Sequence, residues 1–138
     1  MKVIVIDGQG GRLGQLIIEN IKSNNIQCEI TAIGTNSIAT SAMIKAGATE
    51  AATGENPVVV ACRTADIIIG PIGIVSADSL LGEVTATMAT AIGRSEAIKL
   101  LVPVNKCNNK VVGVKQMSFN ELVNETISEL KSILALYI

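Results

Sequence analysis

The sequence predicts a doubly wound α/β domain, on three observations. Short aliphatic runs alternate with segments of helical period along the chain, with no long polar linker between them. The apolar residues are almost all Ile, Val, Leu and Ala, with one Phe, one Tyr and no Trp, which suits a parallel sheet covered by helices on both faces. A strand-like run then feeds a glycine-rich turn that opens an amphipathic helix, the unit that starts Rossmann-like nucleotide-binding domains. The 138 residues, 49% of them apolar, fit one domain with a sizeable core.

Each element has a local reason. Residues 2–6 are a short β-branched run and read as a buried strand. Leu13, Leu16, Ile17 and Ile21 recur at helical spacing, so a helix follows the glycine turn to about residue 23, where Asn24 and Asn25 end it. Residues 27–33 alternate as a second strand, Gly34, Thr35 and Asn36 turn the chain, and residues 37–45 form a second helix stopped by Gly47. A short strand is expected at 50–53. Asn56 followed by Pro57 reads as an N-cap with proline at the first helical position. Residues 58–65 fit that helix or another strand, because three consecutive valines carry no decisive period. Residues 66–70 are a buried strand, 71–82 irregular or partly helical, 83–93 helical and 99–105 a strand. Residues 111–115 read as an antiparallel edge strand after the turn at Asn108 and Asn109. Ser118 with Glu121 forms a capping box for a last helix to about residue 135. The prediction is a Rossmann-like, mostly parallel sheet with one antiparallel edge strand.

Composition narrows the function. A net charge of −1 argues against a nucleic-acid partner, which requires a basic face. With no histidine, no mechanism can use the chain's own imidazole. Cys28, Cys62 and Cys107 are far apart, odd in number and in no CxxC pair; no metal site is expected, and reduced thiols suit a cytoplasmic protein. Lys2 is followed by only four apolar residues before Asp7, so no signal peptide is expected. The apolar stretch 67–75 is too short to span a bilayer, and no membrane partner is expected.

The chemistry concentrates in Val5-Ile6-Asp7-Gly8-Gln9-Gly10-Gly11-Arg12-Leu13-Gly14. Gly8, Gly11 and Gly14 fit G-x-x-G-x-x-G, with Gly10 added. Early glycines allow a tight turn, a middle one lets backbone approach phosphate, and Gly14 lets the helix pack close to the sheet. Free N–H groups at the helix start face an anion. Four glycines in seven residues carry an entropic cost without an evident packing return in the sequence, which favours ligand binding. Replacing Gly11 by valine is expected to remove binding and leave the fold intact. Asp7 ends the first strand, where it can bind a metal or hydroxyl or cap the turn's amides; capping is preferred. Arg12 suits phosphate contact or a solvated helix position.

Gly8-x-x-Gly11-Arg12-Leu13-Gly14 resembles the cofactor turn of dihydrodipicolinate reductases and the prephenate dehydrogenase group, and that resemblance implies NAD(P) binding at this turn. Over its length the chain also resembles a small bacterial family known as a domain of unknown function. The likeness lies in the segment from Val5 to Gly11, Gly34-Thr35-Asn36, Ala39-Thr40-Ser41-Ala42-Met43, Thr53-Gly54-Glu55-Asn56, residues 66–73, and Asp78-Ser79-Leu80-Leu81-Gly82-Glu83. It implies the fold and carries no activity.

NAD-binding domains place Asp or Glu after strand two to hold the ribose hydroxyls; here Gly34, Thr35, Asn36 and Ser37 stand instead. Absence of a carboxylate predicts NADP binding at least as tight as NAD, with a mononucleotide or another phosphate ester as further candidates. Other strand ends add Gly70, Gly73 and Asn105 to the expected crevice. Asp78 and Glu83 are candidates for an acid–base pair or, preferred, for helix caps. Cys107 beside Lys106 is expected not to be a nucleophile. The expectation is a nucleotide- or dinucleotide-binding homo-oligomer, a homodimer, with a small phosphate ligand and residues 72–75 as its candidate interface; the stretch 67–75 and the tail 133–138 are the interfaces that a purely structural oligomer would use. The alternatives are an NAD(P)-dependent oxidoreductase completed by a second subunit, or a structural oligomer without ligand.

Overall fold

The computed structural model describes residues 1–104 and 108–137. In chain order it comprises β1 (Lys2–Asp7), α1 (Arg12–Ser23), β2 (Glu29–Gly34), α2 (Ser37–Ala46), β3 (Glu50–Thr53), α3 (Glu55–Cys62), β4 (Ile67–Pro71), α4 (Ala86–Arg94), β5 (Ile98–Val102) and α5 (Phe119–Ala135), with one 3-10 turn at Ile72–Val75 after β4. The five strands pair in parallel in the order β3-β2-β1-β4-β5. The Rossmann-like reading therefore holds.

Alternation along the central strands builds two cores. Val3 and Val5 of β1 face one side with Ile67 and Ile69 of β4, under Leu13, Ile17 and Ile21 of α1, Met43 of α2, and Val123, Ile127 and Leu130 of α5. Ile4, Ile6 and Ile68 face the other side, under Val58 of α3, Ile74, and Met88 and Ile92 of α4. Because both faces are covered, every other residue is not polar: β1 and β4 read as continuous aliphatic runs.

Four expectations are corrected. Residues 111–115 form no strand; Gly113 at φ +86 interrupts the run, Val112 is 96% exposed, and among the described residues the sheet is wholly parallel. The valine run is helical: α3 starts at Glu55 with Gly54, not Asn56, as N-cap. Pro57 thus falls third in the helix, still within the first turn, where an N–H has no intrahelical acceptor to lose. α4 starts at Ala86, because the Thr85 hydroxyl accepts the Met88 N–H and caps it, which leaves Glu83 outside the helix. The 3-10 turn buries Gly73 and Ile74, which are core and not surface, while Ile72 is half-buried and Val75 exposed. In the tail, Ile133 and Leu134 pack on the core, while Leu136 and Tyr137 are exposed and Ile138 lies outside the described residues. The Ser118 cap of α5 forms as expected, accepting from the Glu121 N–H. Among the described residues no helix is long and apolar enough to cross a membrane.

Candidate functional site

The strand order reverses between β1 and β4, and in such sheets the crevice outside the carboxyl ends of these strands receives ligands. A cavity of about 240 Å³ lies there, lined by residues 7–13 with Pro71, Leu80, Val104 and Phe119. A larger hollow, about 520 Å³, lies between α3 and α4 on the outer surface. None of its lining residues belongs to the turns that leave the carboxyl ends of β1, β2 or β4, so the smaller cavity is the candidate site.

Asp7 ends β1 with only 6% of its surface exposed. Its carboxylate accepts the N–H of Gly8 at 2.8 Å and that of Gly14 at 2.8 Å. It therefore caps the turn and the start of α1, where amide donors lack intrahelical partners. Burial pushes its pKa above the ordinary 3.8; the amides of Gly14, Gly8 and Leu13 pull it back, and the charge of Glu83 adds to the rise.

Packing accounts for three of the turn's four glycines. A Cβ on Gly8 would stand 2.6 Å from Thr35 Oγ1, and one on Gly14 2.5 Å from Met43 Sδ. Gly11 has φ +73, and its Cβ would lie 2.7 Å from the Ala39 backbone. Gly11 thus lets α1 and α2 approach, and the expectation that valine there spares the fold is withdrawn. Gly10 differs: a Cβ there meets nothing within 4 Å.

The residue that sequence reasoning placed least well is Glu83. It neither caps a helix nor pairs with Asp78. Its Oε1 accepts from the Gln9 N–H at 2.9 Å, the Thr35 hydroxyl at 2.6 Å and Asn36 Nδ2 at 2.7 Å. Burial raises its pKa, but these three donors outweigh it and hold the group below its ordinary 4.5. The loop that delivers it is left-handed at Leu80 (φ 55), Leu81 (φ 56) and Gly82 (φ 88), with Leu80 buried over Gly8. No local signal marks this role, because the partners lie 48 and 74 residues away along the chain.

Of the other expected residues, Arg12 borders the cavity with its guanidinium 4.7 Å from the centre of the Phe119 ring, a cation–π contact. Thr35 and Asn36 reach the turn but spend their donors on Glu83 and, for Asn36, also on the Gln9 carbonyl; Asn36 Oδ1 caps α2 through the Ala39 N–H. Ser37 points away, into a hollow shared with Gln15, Ile38 and Lys45. Gly70 is required by the close approach of the Ile6 carbonyl, and the Gly73 carbonyl accepts the Ser79 hydroxyl; Pro71 between them lines the cavity instead. Asp78 is exposed, with φ 66. Asn105, Lys106 and Cys107 lie outside the described residues. Cys28 and Cys62 are free thiols that burial pushes above their ordinary pKa. Among the described residues no group of three or more Cys, Asp or Glu is placed to hold a metal ion.

No curated protein matches the chain. Among solved structures it is similar to a dodecameric FMN-dependent UbiX-like decarboxylase from Escherichia coli O157:H7, with 14% identity, a TM-score of 0.44, and 98% of this chain and 95% of that one covered. At that distance the likeness carries no argument about ligand, assembly or chemistry. The sequence matches a family profile from residue 2 to residue 135, and the chain belongs to that family, a domain of unknown function (DUF3842).

Proposed function

We propose that this protein binds a nucleotide, with a phosphate held at the outer edge of the turn of residues 8–14. Gly10 carries the proposal. Neither space nor a left-handed φ requires a glycine at this position, yet it lines the cavity at the strand-order switch. A missing side chain there lets a ligand approach backbone, the role of the middle glycine in such turns. Among the described residues, the N–H groups of Gly10 and Arg12 have no hydrogen-bond acceptor, and Arg12 brings a permanent positive charge. The inner amides are different: Gly8 and Gly14 serve Asp7, and Gln9 serves Glu83. A phosphate therefore belongs at the rim, away from two carboxylates.

Titration calorimetry with ADP, NAD, NADP and FMN tests this. At least one should bind the parent protein. Gly10→Val should weaken that ligand at least tenfold while stability stays within about 0.5 kcal/mol, as for a surface substitution with no clash. Equal affinity in parent and variant, or no binding to the parent, would sink the proposal.

A further inference from the structure

We infer that Glu83 recognises the ribose hydroxyls of the bound nucleotide and sets the site against a 2′-phosphate. The inference rests on the nucleotide reading above and names what that ligand meets next to the cavity, whose lining stops at Gln9 and Leu80, with Glu83 bonded to the Gln9 N–H just beside it. In dinucleotide-binding domains an acid at the end of strand two accepts from the ribose. Here that stretch is Gly34, Thr35, Asn36 and Ser37. The structure puts a carboxylate beside it all the same, carried in from the loop before α4. The premise for expecting NADP, that no negative charge stands near Thr35 and Asn36, is thereby removed.

The geometry of that carboxylate is one-sided. All three donors, from Gln9, Thr35 and Asn36, converge on Oε1. Oε2 accepts no hydrogen bond from any described residue. An ionised carboxylate offers about four acceptor positions over its two oxygens, so Glu83 is fixed in place and still able to accept from a ligand. Among the described residues none of its hydrogen-bond partners is a cation, so these partners leave its negative charge in place. Hydroxyl donors are attracted to such a group, and a phosphate is repelled by it.

The backbone supports a role beyond filling space. Leu80, Leu81 and Gly82 are left-handed in succession, a conformation disfavoured for L-residues and retained where surrounding structure enforces it, commonly at ligand sites. Leu80 anchors the loop against Gly8, and Glu83 follows three residues later, against the same turn.

The test is calorimetry on the parent and on Glu83→Gln with ADP, 2′-deoxy-ADP, NAD, NADP and FMN. Glutamine keeps an Oε1 acceptor for the three donors and removes the charge. The parent should bind ADP at least tenfold tighter than 2′-deoxy-ADP, about 1.4 kcal/mol, and NAD tighter than NADP by a similar factor. Glu83→Gln should bring both ratios within threefold. Equal binding of ADP and 2′-deoxy-ADP by the parent overturns this inference and leaves the nucleotide reading standing; so does binding of FMN alone. Ratios unchanged in Glu83→Gln overturn it as well. Absence of binding by all five ligands overturns both readings.

Discussion

The turn after β1 and the loop after β4 meet at one crevice, yet they use glycine in opposite ways. In the turn, Gly8, Gly11 and Gly14 stand where a Cβ would strike Thr35, Ala39 or Met43; only Gly11 among them also has a left-handed φ. In the loop, left-handed φ falls on Asp78, Leu80 and Leu81 as well as on Gly82. Leucine is kept at position 80 although its backbone is strained, because its side chain is needed, buried over Gly8. In the turn, then, glycine marks a shortage of room more than a demand on φ, whereas Gly82 in the loop has open space and a left-handed φ. Gly10, which has room and an ordinary φ, is the exception that points to a ligand.

The strongest test of this contrast is Gly11→Ala. Overpacking against the Ala39 backbone and a left-handed alanine together should cost about 3 kcal/mol, read by urea denaturation. A loss below about 1 kcal/mol would show that α1 and α2 can part freely.

Leu81→Gly should act in the other direction. Leu81 is 98% exposed at φ 56, so no packing is lost. Relief of left-handed strain, set against the greater freedom of glycine when unfolded, should stabilise the protein by about 0.5–1 kcal/mol. Destabilisation of that size would break the comparison, since it would mean that the Leu81 side chain is covered in solution.

The smallest effect is the pH dependence of the latch between the two regions. Glu83 is held below its ordinary 4.5. A carboxylate with a depressed folded pKa adds stability above its unfolded pKa and loses it as pH falls through the folded one. Glu83→Gln should therefore be slightly less stable than the parent near pH 6, and the gap should close as pH drops below 4.5. Asp7, pushed up by burial and by the Glu83 charge, is relieved in the variant, which keeps the gap small. A gap that widens in acid would reverse the sign assigned to Glu83.

Local pattern was enough for much of this molecule. The aliphatic run of β1, the period of Leu13, Ile17 and Ile21, and the Ser118 cap each state their element within a few residues, because burial on both faces and orphan helix amides act locally. The same holds for the glycine turn and for Asp7, whose acceptors meet amides one and seven residues on. The valines of α3 were not legible, since their period is ambiguous and the choice fell to their packing beside α4. The alternating look of residues 111–115 misled, because a strand needs a neighbour to pair with and the fold offers them none. Above all, a carboxylate reaches the end of β2 from the loop between β4 and α4. Glu83 reaches Gln9 and Thr35 only because β4 lies next to β1 in the strand order, so that their carboxyl ends open on one crevice. Local pattern thus settles β1, α1, α5 and the turn, while the state of the valine run and the set of side chains that share the crevice follow from tertiary structure, because packing and hydrogen bonds form by distance in space and not along the chain.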